Sequence, residues 1–193
     1  MKIPCPRCVP NLALAVLLTN GVLCPLARAA GSGDSPVVNF ADYHRDPDGT
    51  TSRPYEYAWG DWDKHLSAYR NQGTLIKAPT GNGGMGDNHA SLDLAGCNAV
   101  DLVLVIGNGN LATSLSFLLE DKDGTGHAWN LALAEKPHGR EIRFHFILDK
   151  PDYVQTPGKT PGLNKKKIAV WQLRGDNTAP YVEILILKLV ESQ

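Results

Sequence analysis

Cysteine is scarce in this chain. It has four, and three of them (Cys5, Cys8 and Cys24) lie in the first 29 residues, a stretch that reads as a removable leader. Cys97 then stands alone, so no intramolecular disulfide can form, and Cys5-x-x-Cys8 is neither a redox nor a zinc motif in the mature chain. The local surroundings of Cys97 (Leu94, Ala95, Gly96, Asn98) offer no histidine to activate a thiol, so it reads as a small buried hydrophobe. Basic clusters are also missing. The 19 Lys and Arg residues nearly balance 20 Asp and Glu, and the only basic run is Lys165-Lys166-Lys167. That excludes nucleic acid as the main partner and leaves the triplet as a solvated turn or edge-strand device. No amphipathic helix of normal length is present. No Gly-x-Ser-x-Gly elbow occurs, which disfavours a serine hydrolase of that type. His44, His65, His89, His127, His138 and His145 lack the spacing of a helical metal site. His127 and His145 fall in strands and read as rim residues of an exposed sheet face.

The N-terminus has its own pattern. Lys2 and Arg7 precede an apolar run from Leu12 to Leu26, broken by Thr19, Asn20, Gly21 and Pro25. Ala27-Arg28-Ala29 then supplies small residues either side of a cleavage point. This is a secretory signal peptide, residues 1–29, cut after Ala29, and it implies export to the periplasm or beyond. The run is too short and interrupted for a membrane anchor, so the mature chain has no membrane span. A lipoprotein signal would need a small residue before Cys24, and Leu23 is not small. Residues 30–36 read as a flexible leader. Residues 37–191 are one domain's worth of chain, enough to bury a real core.

What the remainder does have is alternation. Leu115, Phe117 and Leu119 alternate, as do Trp129, Leu131 and Leu133. The acidic turn between them holds Asp123-Gly124. Two half-buried strands joined by a tight reversal are expected. Ile142, Phe144, Phe146 and Leu148 alternate in the same way. Further strands are expected at Val37–Phe40, Thr74–Ile76, Ser91–Leu94, Leu102–Ile106, Ile168–Leu173 and Tyr181–Val190. The last is apolar on both faces, so it is central or covered on both sides. Asp42–Arg70 is rich in aromatics and reads as mostly loop, with room for a short helical turn from Trp62 to Tyr69. Gly81–Gly86 reads as turn chemistry; it lacks the lysine of a phosphate loop. Asp149–Lys167 is a second polar loop with a Pro161-Gly162 turn. Eight or nine strands with polar turns predict an all-β antiparallel sandwich of jelly-roll type.

In this order of motifs the chain resembles the galactose-binding-like jelly rolls, which include many carbohydrate-binding modules of secreted bacterial glycoside hydrolases. The resemblance rests on Leu92-Asp93-Leu94, the Gly109-Asn110 turn and Leu118-x-x-Asp121-x-Asp123-Gly124-Thr125. It continues through Trp129, Pro161-Gly162-Leu163 and Ile168-x-x-Trp171-x-Leu173 to the closing apolar strand. It covers residues 37–190 and implies a non-catalytic glycan-binding module of an exported protein. Two departures are plain. Such modules usually sit beside a catalytic domain, and many carry an aspartate where Glu183 stands here. The resemblance also implies a structural calcium bridging the first loop and the last strand, which would draw on Asp42 or Asp48 with Glu183.

Sugar binding needs flat aromatic faces with fixed donors and acceptors. Tyr55, Tyr57, Trp59 and Trp62 are the candidate platforms; Arg53, Asp61, Asn88 and His89 are the candidate hydrogen-bonding groups. Trp59 and Trp62 are either platforms or core plugs beneath the loop. Trp129 and Trp171 are expected in the core. Asp121-x-Asp123-Gly124 and Asp46-x-Asp48-Gly49 offer carboxylates to a hard cation, although Asp-Gly is also an ordinary hairpin pair. The partner is thus a polysaccharide or glycan. The alternatives are a structural domain that binds another exported protein and no sugar, or a small polysaccharide-acting enzyme using Tyr and His.

Overall fold

A computed structural model describes residues 36–159 and 161–193; the expected signal peptide and most of the leader lie outside them. The strands in order are β1 (Pro36–Asn39), β2 (His44–Arg45), β3 (Thr51–Ser52), β4 (Tyr57–Gly60), β5 (Leu66–Tyr69), β6 (Gly73–Ala78) and β7 (Gly83–Asp87). They continue with β8 (Ala99–Ile106), β9 (Ser114–Asp121), β10 (Gly126–Ala132), β11 (Glu141–Ile147), β12 (Tyr153–Thr156), β13 (Ile168–Gly175) and β14 (Val182–Ser192). One 3-10 turn, Lys165–Lys167, houses the lysine triplet. Two antiparallel sheets form. The first runs β11-β8-β14-β6-β5, with β1 also paired to β14; the second runs β12-β10-β9-β13-β7-β4; β2 and β3 make a separate ribbon. The antiparallel sandwich inferred from alternation is the observed architecture. No helix among the described residues is long and apolar enough to cross a membrane.

The hairpin of β9 and β10 is in place, with Phe117 opposite Trp129 and Leu115 opposite Leu131. These four side chains are buried, because residues directly opposite on paired strands share a face. Aromatic contacts then join the sheets. Phe146 of β11 stacks on Phe117 at 5.1 Å and lies 5.6 Å from Trp129. Phe40, just after β1, meets Trp171 of β13 edge to face at 5.3 Å. Trp129 and Trp171 are core residues, as alternation implied.

The closing strand β14 is central in its sheet. Its first half pairs with β6 and its second half with β1, while β8 lies along its other edge. The register slips between Ile186 and Lys188. A bulge of this kind inverts the alternation. Val182, Ile184 and Ile186 are buried before it and Leu189 after it, which accounts for the apolar character of both faces.

Several expectations need correction. Asp42–Arg70 is mostly turn and loop, as expected, but it also contains β2 to β5, and Trp62 leads into β5 through a turn without a helix. Its strands are short and lie at or off the sheet edges, so little hydrophobic alternation marks them. Gly81–Gly86 is not only a turn, since β7 runs through it between β4 and β13. Ser91–Leu94 contributes only an isolated bridge, Leu92 to Ile168. His127 is buried: it faces inward against Trp129, and its Nδ1–H donates to the Leu148 carbonyl at 2.9 Å. His145 is exposed on the outer face, 2.7 Å from Asp101. Cys97 is buried, and that burial pushes its thiol up to about 11.

Asp121 is the buried carboxylate of the hairpin turn. Its Oδ1 accepts from the N–H groups of Asp123 (2.8 Å) and Thr125 (3.0 Å), and its Oδ2 accepts from Asn164 N–H (2.7 Å). It therefore closes its own turn and ties it to the segment entering β13. Three charge-assisted bonds to backbone give this acidic turn a structural role that needs no cation. Asp121→Ala is expected to cost about 1–3 kcal/mol in chemical denaturation, because one buried and two part-buried N–H groups lose their acceptor. A loss below about 0.5 kcal/mol would show that the tether carries little.

Candidate functional groove

The second sheet turns one face to the core and the other outward. On β13, Trp171 and Leu173 are buried, so Gln172 and Arg174 lie on the opposite face. The cross-strand pairs continue that face. Gln172 lies opposite Gly86 and Arg174 opposite Gly84, while Tyr57 is opposite Gly86 and Trp59 opposite Gly84. Two rows thus run from β4 across β7 to β13, and in both rows β7 contributes only glycine.

The missing side chains on β7 create the groove. A Cβ on Gly84 would lie 2.3 Å from the Trp59 ring, and one on Gly86 would lie 2.9 Å from the Gln172 side chain and 3.0 Å from the Tyr57 hydroxyl. Trp59 and Tyr57 occupy that space, stacked on each other with centroids 5.6 Å apart and planes 28° apart. The resulting open groove of about 510 Å³ is lined by Tyr57, Trp59, Asn82, Gly83, Gln172, Arg174, Gly175 and Asn177.

A hydrogen-bonded chain fixes the polar groups. Tyr57 OH donates to Asn88 Oδ1 (2.9 Å) and accepts from Gln172 Nε2 (2.6 Å). Arg174 Nε donates to Gln172 Oε1 (2.8 Å), as does its Nη2, and Nη1 donates to Gln155 Oε1 (2.5 Å). Burial raises the Tyr57 phenol above its ordinary value of 10.0, so it keeps its proton. Farther along, Ser116 and Tyr153 hydroxyls pair at 2.9 Å.

The residues singled out from sequence separate into distinct roles. Tyr57 and Trp59 meet in the groove, and Asn88 reaches it through Tyr57. Trp62 does not: it is fully buried and underlies the floor, where added Cβ atoms on Gly83 and Gly175 would each come within 2.9 Å of its ring. Its indole N–H has no hydrogen-bond partner among the described residues. Tyr55 is also a core residue, packed edge to face with Tyr43 and covered by the Arg53 guanidinium at 5.0 Å. Arg53 therefore caps a core ring away from the groove. Asp61 accepts from Thr80 Oγ1, and Thr80 Oγ1 in turn accepts from Asn82 N–H, so Asp61 steadies the loop that presents Asn82. His89 is exposed and bonded to Glu56 at 2.7 Å.

Sequence reasoning missed Gln172, Arg174, Asn82 and Asn177. The first two were legible in principle, because they alternate with Trp171 and Leu173. The two asparagines belong to loops that only the tertiary fold brings together. Backbone packing of the Gly81 and Gly175 segments shows that approach: a Cβ on Gly175 would lie 2.0 Å from the Gly81 carbonyl oxygen.

Asp42, Asp48 and Glu183 do not form a converging group among the described residues. Glu183 gives one oxygen to Lys77 Nζ (2.9 Å) and the other to Gly109 N–H (2.9 Å). Asp48 accepts from Thr50 N–H at 2.8 Å, and Asp42 lies 3.8 Å from His44. Glu183 therefore serves as an ion-pair partner on the outer face of the first sheet. Among the described residues the acidic and histidine side chains that converge are Glu56, Asp87 and His89. Their carboxylates are already engaged by the N–H groups of Asn88 and His89 and by the His89 ring, and an imidazole suits calcium poorly.

No family model matches the chain, and no curated protein matches it. Solved structures do. The chain is similar to part of an agarase, AgWH50C, over 84% of its own length and 25% of that chain, with a TM-score of 0.53 and 12% identity. It spans a quarter of that enzyme. It is also similar to a variant of the family 29 carbohydrate-binding module CBM29-2, at TM-score 0.44 and 14% identity over 72% of this chain and 81% of that one. A third is the family 11 carbohydrate-binding module of the cellulosomal cellulase Lic26A-Cel5E of Clostridium thermocellum, at TM-score 0.41 and 13% identity over 66% and 79%. The likeness to the agarase segment is one of fold, the two-sheet antiparallel sandwich described above.

Hydrogen bonding from Lys77, followed by that from Gly109 N–H, holds the Glu183 carboxyl below its ordinary value. A depressed carboxylate stabilises the fold above its unfolded value, near 4.5, and that contribution fades as pH falls through the folded value. Glu183→Gln is expected to lower Tm by about 2–4 °C at neutral pH, with the deficit fading as pH falls below 4.5 and through the folded value. A pH-independent deficit in thermal melts would assign the loss to packing alone.

Proposed function

We propose that the groove binds a polysaccharide and that the chain is a non-catalytic glycan-binding module of an exported protein. The stacked pair of Tyr57 and Trp59 beside fixed amide and guanidinium groups is the observation that carries this reading. A pyranose offers an apolar C–H face to a flat ring and hydroxyls around its edge. Gln172, Asn82 and Asn177 supply both donors and acceptors to such an edge. The fold shared with part of an agarase supports the reading. The calcium expected from sequence enters as a condition of the assay.

The full-length protein is tested on a glycan array and in polysaccharide pull-downs, with calcium and with chelator. Trp59→Ala is expected to fold and to lose about tenfold or more in affinity, roughly 1.5 kcal/mol. Trp62→Ala removes a fully buried indole and is expected to cost about 3–5 kcal/mol of stability, so its binding loss would follow from unfolding. Loss of retention with chelator alone would put a calcium in or beneath the site. Retention on no polysaccharide would overturn the reading and direct attention to a protein partner.

A further inference from the structure

We infer that the groove selects acidic glycans, those bearing a uronate carboxylate or a sulfate ester, and that Arg174 is the residue that reads the charge; the inference rests on the glycan-binding reading of the same groove.

Arg174 is a half-buried cation in the wall of the groove. Every partner of its guanidinium is an amide oxygen, from Gln172 and Gln155, and no carboxylate pairs with it among the described residues. Amide oxygens orient a guanidinium without neutralising it. The nearby acids have other commitments. Asp176, two residues along, accepts from Thr178 and from Ser114. Glu56, beyond Tyr57, is held by Asn88 N–H and His89. The other arginine with a ring contact near the candidate residues, Arg53, sits on Tyr55 outside the groove.

A guanidinium has five N–H donors, and the three bonds described leave one on each terminal nitrogen. Those two donors are the complement of a carboxylate or sulfate oxygen pair. A chain laid on the tryptophan and tyrosine would shield the half-buried guanidinium from water, which strengthens a charge–charge contact relative to one on an open surface. A neutral sugar would fill the aromatic part of the groove and leave the cation without a counter-charge. An acidic residue in the chain would satisfy both. The gluing of Arg174 to two glutamines also fixes the plane of its fork before any ligand arrives, so little side-chain freedom is lost on binding.

The test uses matched pairs of polymers with the full-length protein. Polygalacturonate is compared with its carboxyl-reduced form, and a sulfated galactan with its desulfated form. Wild type is expected to bind the charged member of at least one pair about tenfold or more tightly, with the preference shrinking as salt rises. The pair that shows the preference identifies carboxylate or sulfate as the group read. Arg174→Gln should abolish the preference, so that the charged and neutral members of the pair bind alike. Arg174→Lys, which keeps the charge and loses the fork, should retain part of it. Circular dichroism and melting verify that both variants fold. Equal binding of charged and neutral members by wild type, or an unchanged preference in folded Arg174→Gln, would overturn the inference and leave the glycan-binding reading standing. Binding of neither member of either pair, with retention of other neutral glycans, would also overturn it; binding of no glycan at all would remove both readings.

Discussion

The outer face of the second sheet depends on one strand having no side chains to place there. β7 presents Gly84 and Gly86 between β4 and β13. Glycine is a poor strand former, because it adds no packing and loses the most backbone freedom on folding. Here the cost has a return in geometry. Trp59 and Tyr57 lie down across the vacant positions, and Gln172 and Arg174 rise beside them. Ordinary side chains at 84 and 86 would push both rings out of the groove.

The same strand is sound on its other face. Met85 is fully buried and lies opposite Leu173, whose row continues to Phe117 and Trp129. The aromatic seam from Phe117 and Trp129 to Phe146, with Phe40 on Trp171, locks the sheets together. Trp62 belongs to this layer and closes the core under the groove floor. The site is therefore built directly on a rigid layer, which limits how far a bound chain could reshape it.

Strong alternation was readable from sequence, and with it the sandwich, its central hairpin, and the burial of Trp129 and Trp171. What stayed hidden has physical reasons. β4, β5 and β7 are short, and β7 replaces the usual β-branched and aromatic residues with glycine, so propensity argues against a strand that neighbouring strands impose. Trp59 and Trp62 are three residues apart and were indistinguishable by composition. Gly60, at φ +63°, ends β4 between them and lies tight against the Asn82 carbonyl. The turn that follows sends Trp62 inward while Trp59 stays on the sheet. Glu183, expected beside the first loop, lies instead opposite Lys77, because β14 pairs it with β6. A cross-strand register, invisible to local patterning, decided that carboxylate's partner.

The polar chain from Asn88 through Tyr57, Gln172 and Arg174 to Gln155 spans β4, β13 and β12. Each link constrains the next. The raised Tyr57 phenol stays a donor to Asn88, which leaves its oxygen to accept from Gln172. That orients the Gln172 carbonyl toward Arg174, and the guanidinium is then held by both glutamines. The assignment of every proton in the chain follows from the first. A groove whose donors and acceptors are settled before a ligand arrives loses little entropy on binding and discriminates by chemistry. A ligand must match a fixed pattern in which the one formal charge is positive, and this is why the polarity of the groove, more than its size, sets what it can hold.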